Sequence, residues 1–135
     1  MIELSKEKPY EDACKILGLR PVANYKSYKL TDETRNFIKL ETVAKALNEG
    51  WKPTTIDPKE VRYYVWGWNY TDNRKPSGLL VVDSDDGLGG ADAAVGTSLE
   101  FKDRDTAKEF ARMCKPMIVK YLFGRDDHEN FKFNF

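Results

Sequence analysis

The chain carries a single histidine, two cysteines and equal numbers of basic and acidic residues, 22 of each. Each scarcity removes a class of function. His128 lies in the charged stretch RDDHENF, with no cysteine beside it and no serine spaced to suggest a hydrolytic triad, so it reads as a surface histidine. Cys14 and Cys114 are far apart and both fall in helical patterns, which suits buried apolar packing rather than a disulfide framework or a reactive thiol. The balanced charge supplies no global field to recruit nucleic acid or an anionic membrane. No apolar run approaches membrane-spanning length, and MIELSKEKPYED lacks the apolar centre of a signal peptide, so the expected location is cytoplasmic. There is no P-loop, and GLGGAD lacks the spacing and context of a dinucleotide fingerprint, so no cofactor is expected.

What is present begins with Val95 to Gly124, VGTSLEFKDRDTAKEFARMCKPMIVKYLFG. Leu99 and Phe101 alternate with polar neighbours as in a strand with one buried face. Asp103 then precedes Ala107, Phe110, Ala111, Cys114, Met117, Ile118, Tyr121 and Leu122, the stripe of an amphipathic helix with Asp103 as N-cap and Gly124 as its stop. Pro116 interrupts that helix roughly opposite Cys114, where a bend is expected rather than a break.

A second helix is predicted from Thr31 to Asn48, capped by Thr31 or Asp32, with Phe37, Leu40, Val43, Ala44 and Leu47 facing the core. Gly50 ends it, and Trp51 folds back as a lid on its last turn. Pro9 to Leu17 forms a short helix stopped by Gly18. EDACKILGL also resembles the first helix and corner of a helix-turn-helix, but Pro21 stands where the recognition helix would start.

VRYYVWGWNY is apolar on both alternating faces, as in a strand covered on each side. One face presents Tyr64, Trp66 and Trp68, a row that packs under a cover or, left open, stacks on a ligand. Gly78 to Asp83 forms a second strand. The fold expected is α+β: a three-stranded antiparallel meander over 61–68, 78–83 and 97–102 with the two main helices packed on one face. A short N-terminal helix and a candidate C-terminal edge strand complete it. The whole of 1–135 reads as one globular domain, with an N-terminal helix and linker at 1–27, a core at 28–124 and a tail at 125–135.

Three constellations bear on chemistry. Asp83, Asp85, Asp86 and Asp92 supply hard oxygen ligands among glycines, though the twelfth residue from Asp83 is Ala94 and not the glutamate of an EF-hand, which leaves a solvated acidic turn as the simpler account. Asp83 followed by Glu100-Phe101-Lys102 matches the Asp and Glu-x-Lys pattern of magnesium-dependent nucleases, but a simple hairpin places Asp83 near Thr97. Phe131, Phe133 and Phe135 alternate in the tail, which either joins the sheet or pairs with a second copy as a homodimer.

VAKALNEGWKP (Val43 to Pro53) and VGTSLEFKDRDTAKEFARMCKPMIVKYLF (Val95 to Phe123) resemble a family of small uncharacterised proteins of phages and mobile elements in anaerobic gut bacteria. The resemblance covers Tyr28 to Phe123 and implies a helix, aromatic strands and a long final helix, with no activity or catalytic residue attached. The link before the final unit departs from it, being Asp, Gly and Ala where the family places aromatics. The expectation is a non-catalytic accessory protein that binds a protein or nucleic acid through Tyr64, Trp66 and Trp68. The alternatives are the nuclease and a homo-oligomeric structural protein.

Overall fold

The computed structural model describes residues 2–21, 30–52, 60–70, 77–86 and 99–135. Helix α1 spans Pro9–Leu17, α2 Asp32–Leu47 and α3 Arg104–Phe123, while strands β1 (Val61–Tyr70), β2 (Ser77–Asp86) and β3 (Phe131–Phe133) form one sheet in that order. β1 and β2 pair antiparallel, and β3 runs parallel to β2, so the fold is α+β with a mixed sheet.

The meander is therefore corrected at its third strand. Residues 99–102 do not lie beside β2; Phe101 crosses to the far edge of β1, where it exchanges both backbone hydrogen bonds with Tyr63 at 2.9 and 2.7 Å. Residues 97 and 98 lie outside the described residues. The place beside β2 is taken by the tail, as Gly78 pairs with Phe131 and Leu80 with Phe133. The physical reason is the ring of Phe131, which is fully buried over Gly78: a Cβ added at Gly78 would sit 2.0 Å from it. Phe123, the last residue of α3, stacks on Phe131 at 5.1 Å between ring centroids. The Arg125 guanidinium also lies over that ring, 4.7 Å from its centroid, and bonds both Asn69 of β1 and Asp127. A glycine socket, a stacked pair and a cation thus hold the tail in the chain's own sheet. Phe131 is unavailable to the homodimer once expected through it, and Phe133 and Phe135 rest against Lys115, Lys108 and Arg112 of α3.

The helices obey their local signals. Asp103 is the N-cap of α3 and accepts from the Thr106 amide at 2.7 Å, and Thr31 caps α2 through the Thr34 amide at 3.1 Å. Gly124 closes α3 in the left-handed region, φ 66°. Cys114 leaves helical geometry at φ −113°, ψ 18°, two residues before the exposed Pro116, so the expected bend is a sharp local kink. Trp51 donates its amide to the Asn48 carbonyl at 2.9 Å, folding the chain back on the end of α2.

α3 lies against β1 and β2, and α2 packs on α3 and on α1. Asn36 of α2 ties the two long helices by donating to the Met117 carbonyl at 2.9 Å. The core between sheet and helices gathers Leu40, Val65, Leu80, Phe101, Phe110 and Ile118. A void of about 10 Å³ in this core, lined by apolar side chains, is at the lower limit for one water and too small for a ligand. Burial pushes the Cys114 thiol up to about 12, making it a packing residue at neutral pH.

Candidate functional site

The pairing of β1 with β2 sorts their side chains into two faces. Residues directly opposite share a face, so Val65 with Val82 and Gly67 with Leu80 point toward α3, while Tyr64 with Asp83, Trp66 with Val81 and Trp68 with Leu79 point away from it. The inner face is closed by α3. On the outer face burial falls along β1: Tyr64 is 5% exposed, Trp66 is half-buried and Trp68 is 47% exposed. Leu79 and Val81 are also half-buried, and Lys132 of β3, paired with Leu79, is exposed at the border.

The predicted aromatic row is thus divided. Tyr64 belongs to the core and the half-buried Trp66 packs against it, while Trp68 joins the half-buried Leu79 and Val81 in an apolar patch that reaches solvent. Among the described residues two charged side chains border that patch, Lys132 beside the Trp68–Leu79 row and the exposed Asp83 beyond the Trp66–Val81 row. Neither takes part in an ion pair among the described residues; one carboxylate oxygen of Asp83 accepts from the Ser84 amide at 2.8 Å.

The nuclease constellation is not assembled. β1 stands between Asp83 on β2 and Glu100, next to the Phe101 bridge, a separation of two strand spacings, or roughly 10 Å. Glu100 is 1% exposed and its carboxylate faces Arg62 Nη1 at 3.1 Å, with Arg62 itself 2% exposed. The carboxylate is therefore neutralised inside the fold, whereas Lys102 is exposed. The side chain of Asn48 adds a bond to the Glu100 backbone carbonyl at 2.9 Å. The Glu-x-Lys pattern sets Glu100 beside Lys102; nothing short of the strand register reveals that Glu100 pairs with Arg62.

Of the acidic candidates, Asp83 is exposed, while the side chains of Asp85 and Asp86 and all of Asp92 lie outside the described residues. Among the described residues no three histidine, cysteine, aspartate or glutamate side chains converge to hold an ion. His128 is paired at most with its neighbour Glu129, at 3.9 Å. A shallow groove of about 440 Å³ runs between Ile2, Leu4 and Lys6 and the α3 residues Glu109 and Met113, with no nucleophile and base facing each other across it. Among the described residues no helix is long and apolar enough to cross a membrane. Comparison with protein-family profiles, curated proteins and solved structures finds no match to this chain.

Proposed function

We propose that this protein is a non-catalytic binding module that engages a protein partner through the outer face of its sheet, as an accessory of a phage or mobile element. The observation that carries the reading is the half-exposed Trp68, set beside Trp66, Leu79 and Val81 on a face that α3 does not reach. Tryptophan is costly to leave in water and is enriched where interfaces close. The resemblance of Val43 to Pro53 and of Val95 to Phe123 supports the biological setting.

A protein partner suits the face better than nucleic acid. Binding along a phosphate backbone requires several cations around the stacking residues, and among the described residues Lys132 on this face is offset by Asp83. The test uses Trp68→Ala, checked by circular dichroism and melting. Wild type is expected to retain a partner in affinity capture from cells carrying the element, and the folded variant to lose it. Retention by the variant would refute the assignment of the face. In the same preparation, wild type incubated with magnesium and supercoiled DNA is expected to leave the DNA intact.

A further inference from the structure

We propose that the free edge of β3 is a second docking site, which takes an extended acidic segment of a partner protein as a fourth strand of the sheet. This edge is separate from the Trp68 face, so either site can fail without the other.

The main chain supplies the first half of the site. β3 is the last strand in the sheet order β1, β2, β3. The Asn134 amide donates to the Leu80 carbonyl at 2.9 Å, and in a parallel ladder the residues that bond a neighbour alternate with those that face away. Lys132 and Asn134 therefore serve β2, and Phe133 turns its amide and carbonyl to the outer edge, as Phe131 does its carbonyl. The Phe131 amide is taken by the His128 carbonyl. Among the described residues no backbone group bonds the amide or carbonyl of Phe133. An extended chain laid there satisfies both, as a neighbouring strand would.

Charge then selects the chain. Lys115 Nζ lies 5.2 Å from the Phe133 ring centroid, and Lys108 and Arg112 lie 5.8 and 5.3 Å from that of Phe135. The three cations follow one another on successive turns of one side of α3, above the β3 edge. Lys132, which alternates with the phenylalanines, is exposed on the opposite face of the strand. Among the described residues Lys108, Lys115 and Lys132 take part in no ion pair, and Arg112 has only Glu109, 3.8 Å away. A strand added about 4.8 Å beyond β3 therefore meets positive charge on both of its faces, and glutamate or aspartate on either face finds a cation.

The same charges exclude a second copy. Two β3 edges laid together would set the lysines of each against those of the other, a common way of keeping sheet edges apart. A nucleic acid strand meets the cations but cannot continue the ladder, which needs donors and acceptors at strand spacing. Because β3 is short, binding is weak, with a dissociation constant of roughly 0.1–1 mM.

The probe is a synthetic peptide of about eight residues alternating glutamate and valine, titrated into the isotope-labelled full chain and followed by amide NMR. Expected are saturable shifts centred on Phe133 and a roughly tenfold slowing of Phe133 amide exchange in the bound state. A counterpart methylated at every backbone nitrogen, and one with lysine in place of glutamate, are expected not to bind. Raising the salt from roughly 50 to 500 mM is expected to weaken the glutamate peptide about tenfold. The double variant Lys108→Gln, Lys115→Gln, checked by circular dichroism, is expected to do the same, and the salt series makes that test on the unaltered chain. Trp68→Ala is expected to leave peptide binding unchanged. Failure of the glutamate peptide to bind at roughly 5 mM overturns the proposal, as does equal binding by either counterpart. Loss of binding in a folded Trp68→Ala variant moves the peptide to the outer face and overturns the edge. A single-stranded oligothymidine that displaces the peptide and binds more tightly, leaving the Phe133 amide unprotected, makes this side of α3 a nucleic-acid site instead.

Discussion

The two faces of the sheet are built from the same two strands, and they differ in what their glycines and aromatics are asked to do. On the inner face Gly67 and Gly78 contribute no side chain, and the space is taken by rings from elsewhere: Phe123 lies 3.3 Å from where a Gly67 Cβ would be, and Phe131 covers Gly78. On the outer face the strands supply their own bulk through Trp66 and Trp68, and no described helix covers it. At the Trp68 end of β1 and β2, therefore, the large side chains mark the solvent side and the glycines mark the core. Aromatic density on a strand is a poor guide to burial when the opposing helix carries the rings.

The comparison breaks most readily from the inner side. Phe131→Ala empties a fully enclosed site and is expected to cost about 3–5 kcal/mol, seen as a lowered midpoint in urea. Glu100→Ala leaves the Arg62 charge inside the fold and is expected to cost a similar 3–5 kcal/mol or so. If the Phe131 variant melts like wild type, the inner face is not the stabilising one; the Glu100 variant tests the ion pair buried at the Tyr64 end of the outer face. Gly78→Ala should come next, at about 1–3 kcal/mol, because the added Cβ forces the Phe131 ring to move.

Smaller effects sharpen the contrast. Asp103→Ala is expected to cost about 1 kcal/mol, and Asp103→Asn to restore most of that in thermal melts. The hydrogen bond from Thr106 holds the Asp103 carboxyl below its ordinary value of 3.8. Its contribution is thus fully present above about pH 4 and is lost as the pH falls through the depressed folded value. Trp68→Ala, on the outer face, should shift stability by no more than about 0.5 kcal/mol while removing binding. A large loss of stability from that change would place Trp68 in the core and erase the distinction between the faces.

Local features of the fold were legible from the chain because each rests on contacts within a few residues. The Asp103 cap, the Gly124 stop, the bend near Pro116 and the buried stripe of α3 all belong to this class. The errors concern partners distant in sequence. Placing residues 97–102 beside β2 followed chain order, whereas the burial of Phe131 against Gly78 depends on a ring that α3 delivers from across the molecule. Glu100 was misjudged for the same reason: alternation sends it away from Leu99 and Phe101, but only the bridge to Tyr63 brings Arg62 beside it. The site was half legible. Tyr64, Trp66 and Trp68 share a face as expected, and the register alone shows where along it the cover ends.

The kink in α3 carries a consequence for motion. Pro116 has no amide to offer the Arg112 carbonyl, and Cys114 departs from helical angles, so the hydrogen-bonded ladder of this helix is interrupted near its middle. The two halves then need not open together. The first packs Phe110 on Phe101, and the second ends at Phe123 on the tail strand. In native-state hydrogen exchange the helix should divide into two cooperative units, with the amides after the kink exchanging in step with those of β3. The last turns of α3 and the third strand would in that case come and go as one piece, leaving the paired β1 and β2 and the first half of the helix in place.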